Sequence, residues 1–199
     1  MIIGITGGTG GGKTTLLKTA ETLGFQVLDC DRIYHALLQT DPDLTAAIEA
    51  RFPGTVADGQ LQRKKLGAVV FADPKALADL NAITHSAVRQ AVEARLTDNT
   101  VIDAIALFES GLDRLCDVTV AVAAPEEDRV RRLMARDGIT EEYARSRIAA
   151  QQDESYYRQH CDFVLENTGD LVQFQGKCLA FFRRLGIMEE NQKEVHYDQ

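Results

Sequence analysis

Short apolar runs alternate along the chain with longer stretches of helical periodicity. Residues 2–5 read as a buried strand that gives way at once to glycines. Residues 14–23 then carry a helical pattern stopped by Gly24, and residues 25–28 form a second strand that delivers Asp29-Cys30-Asp31 at its C-terminal end. Val101 and Ile102 mark a third strand ending at Asp103, residues 118–122 a fourth, and residues 163–165 a fifth. Strands alternating with helices predict a parallel α/β sheet. Ligands bind such sheets beyond the C-terminal strand ends, where the glycine-rich segment, Asp31 and Asp103 all fall.

About seventy residues separate the second and third strands, far more than one crossover helix needs. The stretch 33–96 is mostly helical in pattern, broken near Pro42, Pro53-Gly54 and Asp58-Gly59, and reads as a substrate-binding insert. Toward the end, Leu171, Phe174, Cys178, Phe181 and Leu185 recur at three- and four-residue spacing, one apolar helix face for packing on the sheet. The polar tail after it is expected to fray.

Composition narrows the classes. A chain of 199 residues can bury one sizeable core, and 45% hydrophobic with 26% charged residues is ordinary for a globular protein. The net charge of −8 disfavours nucleic acid and anionic membrane as partners, so a phosphorylated ligand would need a local cluster of Lys and Arg. The opening residues lack the basic region of a signal peptide, and no apolar run approaches a bilayer span. Cys30, Cys116, Cys161 and Cys178 are scattered, as expected of reduced thiols in a cytoplasmic protein rather than of a disulfide framework or zinc site.

The chemistry begins at Gly7-Gly8-Thr9-Gly10-Gly11-Gly12-Lys13-Thr14, which fits G-x-x-x-x-G-K-[ST] with a strand before it and a helix after it. Glycines let backbone N–H groups close around phosphate oxygens, and the new helix points its N-terminus at the same anion. Lys13 would reach the β- and γ-phosphates, and the Thr14 hydroxyl would ligate Mg²⁺. A flexible glycine turn is the plain alternative, and the flanking elements disfavour it.

Three features bear on what the triphosphate is for. Asp31 stands where it could take the proton of a substrate hydroxyl, but it could equally cap the helix that begins at Arg32; Asp29 reads as a structural carboxylate. Pro125 suits the first position of a helix whose Arg129, Arg132 and Arg136 share a face. Arginines there could stabilise charge on a transferred phosphoryl group, though basic residues also favour helix C-termini. Asp137-Gly138 then breaks the helix before a second one with Arg145, Arg147 and Gln151, the pattern of a lid that excludes water. No Asn-Lys-x-Asp guanine-recognition sequence occurs, which disfavours a GTPase. Asp103 ends its strand where a Mg²⁺-associated carboxylate would sit.

In order along the chain, Ile5-Thr6-Gly7-Gly8, Val27-Leu28-Asp29-Cys30-Asp31, Leu61-Gln62-Arg63-Lys64-Lys65-Leu66, Val70-Phe71-Ala72-Asp73-Pro74, Leu80-Asn81-Ala82-Ile83-Thr84-His85, Leu107-Phe108-Glu109-Ser110-Gly111-Leu112 and the closing Cys161-Asp162-Phe163-Val164-Leu165-Glu166-Asn167-Thr168-Gly169 resemble the dephospho-CoA kinase family. Of these only the glycine loop is specific alone; the ordered set, over about residues 1–186, carries the resemblance. It implies a P-loop NTPase three-layer α/β sandwich with a five-stranded parallel sheet: one domain, 1–186, with core 1–32, 100–136 and 160–186, an acceptor-binding insert about 33–99, a lid about 137–159, and a tail 187–199.

The implied activity is ATP-dependent phosphorylation of the ribose 3′-hydroxyl of dephospho-CoA, with Mg²⁺, in a cytoplasmic monomer or weak homo-oligomer. By the same resemblance Asp31, Lys13 and Arg136 are catalytic. Gly8, Thr9, Gly10, Gly11, Gly12, Lys13, Thr14, Thr15, Arg132, Asn167 and Gly169 would bind ATP, the last two beside adenine. Asp31, Arg63, Leu66, Phe71, His85, Leu107 and Glu109 would hold the acceptor. For His85 a second reading stays open, a helix-flanking ring satisfied locally. The chain departs from the family at Ser86, where Pro is usual, at 103–106, where many members carry a proline, and at Gly11 and Thr14, where Ser is common; none removes a proposed catalytic group. Other small-molecule P-loop kinases, for nucleosides or nucleotides, are the nearest alternative, and an ATP-binding regulator a more distant one.

Overall fold

The computed structural model describes residues 1–187; the tail assigned to 187–199 lies outside these after its first residue. Among the described residues, the five strands of the main sheet follow the predicted order, and a two-stranded hairpin adds to them. Strand β1 (Ile2–Thr6) leads through the glycine loop to α1 (Lys13–Thr22) and β2 (Gln26–Asp29). Helices α2 (Cys30–Thr40) and α3 (Pro42–Arg51), a hairpin of β3 (Val56–Ala57) and β4 (Gln60–Leu61), and helices α4 (Arg63–Val70) and α5 (Pro74–Glu93) precede β5 (Thr100–Asp103). Then come β6 (Val118–Ala123), α6 (Glu126–Asp137), α7 (Glu141–Ala149), α8 (Glu154–His160), β7 (Phe163–Glu166) and α9 (Leu171–Arg184). The main sheet has five parallel strands in the order β2-β5-β1-β6-β7. Asp29 and Ile5 both lie in register with Asp103, so two carboxylates end neighbouring strands.

The chain divides into two compact units, Met1–Thr6 with Phe25–Thr119, and Gly7–Gly24 with the chain from Val120 onward. The first has two apolar clusters. Leu28, Val88, Val92, Ile102, Leu107 and Leu112 form one; the other, from Leu38, Ile48, Phe52, Leu66 and Val70, gives the helical insert its own core. Tyr34 and Leu37 pack against both, so α2 joins them. The hairpin within the insert was missed in the helical reading, because strands of two residues show no alternation; only Asp58-Gly59 announces it. Both residues have positive φ, 51° and 72°, as a two-residue hairpin turn requires.

In the second unit α6 and α7 form an antiparallel pair around Val130, Leu133, Ala144 and Ile148. Arg145 ties its outer end, bonding Glu126, Glu127 and Glu141 at 2.8–2.9 Å. Gly138, at φ 65°, ends α6, and Thr140 caps α7. Pro125 is the residue before α6 rather than its first position: its ψ of 142° is extended, not helical. On α9 the packed face is Phe174, Cys178, Phe181 and Phe182, whereas Leu171, expected on that face, is 61% exposed because it opens the helix.

Candidate active site

The glycine loop closes on itself, Gly11 N–H donating to the Gly8 carbonyl at 3.1 Å. Gly12, in the left-handed region at φ 105°, starts α1, and among the described residues no side chain caps that helix. The positive end of the helix dipole at this terminus suits an anion. Lys13 and Thr14 occupy the first turn, Thr14 exposed, and Thr15 N–H donates back to the Gly12 carbonyl.

Three side chains hold the loop's carbonyls. Arg129 Nε donates to the Thr9 carbonyl at 2.9 Å, Arg132 Nη1 to those of Gly10 and Gly11 at 3.1 and 3.3 Å, and buried Asn167 Nδ2 to Gly11 at 2.8 Å. Across a trans peptide the carbonyl and the following N–H point in opposite directions. Gripping the carbonyls of Thr9 and Gly11 thus turns the N–H groups of Gly10 and Gly12 away from these side chains. A Cβ on Gly10, at φ 75°, would lie 2.8 Å from the Arg129 carbonyl oxygen, so glycine there lets the α6 backbone approach the loop.

Of the arginines sharing a face of α6, Arg129 and Arg132 reach the loop and Arg136 does not. Its Nε and Nη2 fork onto Asp137 at 2.6 and 2.9 Å, and Arg147 Nη1 reaches the same carboxylate at 2.7 Å. The hydrogen bonds from Arg136, with those from Arg147, draw the Asp137 carboxyl down to about 2. The structure thus places Arg136 on Asp137, while Arg129, to which the sequence reading assigned no separate role, contacts the loop; its three-residue spacing from Arg132 is the signal that could have found it. Gln151 was likewise counted only as part of the lid. Its Oε1 accepts from Thr9 N–H at 2.7 Å. Gly169 sits at φ 97° beside the Gln173 side chain, which completes the capping box of α9 with Asp170.

The first unit holds the remaining candidates. Asp29, not Asp31, caps α2, accepting from Arg32 N–H at 2.9 Å. That removes the capping reading of Asp31, which lines a cavity of about 220 Å³ with Tyr34, Asn81, His85 and Ser110. Asn81, Thr84, His85 and Val88 face it from α5 at one-face helical spacing. Cys30 also lines it; burial, with Asp103 and the neighbouring aspartates, pushes its thiol up to about 12, so it is protonated and inert at neutral pH.

Arg63, Leu66 and Phe71 line a second cavity of about 250 Å³. Phe71 is 84% exposed at its edge, and Tyr34 and Leu80 line both cavities. Leu107 and Glu109 are in neither. Leu107 is fully buried among Leu28, Ile102 and Leu112, so it packs the core, and Glu109 is exposed on the surface. The same segment reaches the first cavity instead through Ser110 and Leu112. Leu107→Ala is therefore expected to lower unfolding stability by about 2–5 kcal/mol, measured by denaturant titration, with the acceptor KM unchanged.

Residues 1–173 match the model of the dephospho-CoA kinase family. The chain belongs to that family. The dephospho-CoA kinase of Deinococcus radiodurans is 38% identical over 192 residues, covering 93% of this chain and 92% of the relative. That of Geobacillus kaustophilus is 36% identical, covering 96% and 99%. Among solved structures, TT1252 from Thermus thermophilus superposes with a TM-score of 0.76 at 36% identity, covering 93% of this chain and 97% of that one. A shikimate kinase from Bacteroides thetaiotaomicron superposes with a TM-score of 0.57 at 17% identity, covering 94% of this chain and 98% of that one, and shares the fold alone. Among the described residues no helix is long and apolar enough to cross a membrane.

Proposed function

We infer that this chain transfers the γ-phosphoryl group of ATP to the ribose 3′-hydroxyl of dephospho-CoA, giving CoA and ADP. The observation that carries the reading is Asp31, relieved of capping by Asp29 and set on a cavity wall in a member of this family. A bond forms between the acceptor oxygen and the γ-phosphorus, the bond from that phosphorus to the β–γ bridging oxygen breaks, and the hydroxyl proton passes to the Asp31 carboxylate. Phosphoryl transfer runs through a loose transition state, so Asp31 orients the hydroxyl as much as it activates it.

The loop amides and Lys13 take the triphosphate, with Arg132 and Asn167 holding the loop in shape. Arg136 joins the transferring phosphate by leaving Asp137. The Thr14 hydroxyl, exposed on the first turn of α1, is the kind of hard oxygen donor that suits Mg²⁺. Mg²⁺ held there with ATP would supply neutralisation of the triphosphate's charge. Asp31 and His85 at one cavity, and Arg63, Leu66 and Phe71 at the other, hold the acceptor, with Tyr34 between them.

An assay of ADP release with Mg·ATP and dephospho-CoA, a nucleoside panel or no acceptor tests this. Turnover dependent on dephospho-CoA, with a product phosphorylated on the 3′-hydroxyl, is the expected outcome. Turnover with another acceptor alone would keep a kinase and discard this substrate.

A further inference from the structure

The geometry points to Gln151 as a residue that positions the phosphate loop from the lid. Both polar backbone groups of Thr9 are taken: its N–H donates to Gln151 Oε1 at 2.7 Å, and its carbonyl accepts from Arg129 Nε at 2.9 Å. Arg129 Nη2 also reaches Gln151 Oε1 at 3.3 Å, so the two side chains brace each other around one residue. Holding the N–H and the carbonyl of the same residue fixes its φ and ψ. The fixed ψ then sets the plane of the next peptide, and with it the direction of the Gly10 N–H.

Thr9 needs this external hold. Gly8 and Gly10 flank it, Gly10 at φ 75°, and glycines impose little conformational restraint of their own. Gln151 comes just after α7, past the helix's last turn, where Ala150 is the cap. Its backbone is anchored by an N–H bond to the Ile148 carbonyl at 3.1 Å, and Ile148 belongs to the buried cluster joining α6 to α7. Arg129 rises from α6 of the same pair. The α6–α7 pair therefore presents an acceptor and a donor at a set spacing, and the loop adopts its shape against them.

This rests on the loop being the ATP site, and it deepens that reading. The test uses the full chain carrying Gln151→Met, which keeps side-chain length and lid packing but cannot accept the Thr9 N–H, and Gln151→Glu, whose carboxylate accepts it and pairs with Arg129. Mg·ATP affinity is measured calorimetrically without acceptor, alongside the KM values for ATP and dephospho-CoA and the melting temperature.

Gln151→Met is expected to weaken ATP binding about 5- to 20-fold and to raise the ATP KM in step, because a partly buried N–H loses its partner. The dephospho-CoA KM and the melting temperature stay unchanged, and Gln151→Glu recovers ATP affinity to within about threefold of the parent. Unchanged ATP affinity in Gln151→Met, equal losses in both variants, or a loss that tracks a fall in melting temperature would each overturn the proposal. Because affinity is read without acceptor, a parent chain that binds ATP but leaves dephospho-CoA untouched would overturn the substrate assignment and leave this inference standing.

Discussion

Asp31→Asn is expected to lower kcat with dephospho-CoA by about 10²- to 10⁴-fold while ATP affinity stays within about twofold. The substitution keeps the shape of the side chain but removes its ability to take a proton. Had Asp31 been the cap of α2, the loss would have been confounded with helix stability. Asp29 holds the Arg32 N–H at 2.9 Å, so the cap survives the change. Steady-state kinetics with a melting curve separate the two effects, the melting temperature being expected to stay put. A loss near the lower end of the range would assign Asp31 mainly to orienting the hydroxyl, as a loose transition state allows. Near-normal turnover would remove it from the reaction.

Lys13→Ala is expected to lower kcat/KM for ATP by about 10²- to 10³-fold, the usual cost of removing one donor aimed at developing charge. Alanine is a strong helix former, so α1 can still begin at this position, and the Gly12 turn before it is untouched. The variant should therefore fold, and the deficit should appear in transition-state stabilisation rather than in stability. The same coupled assay reads it, and an unchanged kcat/KM would contradict a phosphate role for the lysine.

How far the chain could be read depended on how local each feature is. The strands emerge within a residue or two of expectation, because an apolar run between turn residues carries its own signal; β6 was read as 118–122 and spans Val118–Ala123. The glycine loop was equally plain, being a contiguous pattern with a strand and a helix at its ends. The hairpin β3–β4 was lost for the opposite reason, since each strand offers only two residues. Of the segment Leu80–His85 only His85 was read as a site residue, yet Asn81, one helical turn before it on the same face, lines the first cavity as well. Leu107 came with its segment, yet nothing in a contiguous motif says which of its residues turns inward, and here it is the leucine that fills the core.

By itself the sequence determined the parallel α/β order, the phosphate loop with Lys13 and Thr14, and the aspartate-rich end of β2, because each rests on residue type and spacing within a few positions. Only the tertiary structure decided which of several equivalent side chains takes each role. Asp29 caps and Asp31 faces the cavity because α2 begins at Cys30, one residue before Asp31, which puts Asp31 inside the first turn. Arg129 and Arg132 reach the loop while Arg136 turns to Asp137, because the loop lies against the N-terminal half of α6 and the last turn is drawn to the joint with α7. Gln151 meets Thr9 across 142 positions of chain. No local pattern encodes such a pairing; it follows from where the packed α6–α7 pair sets a side chain against the loop.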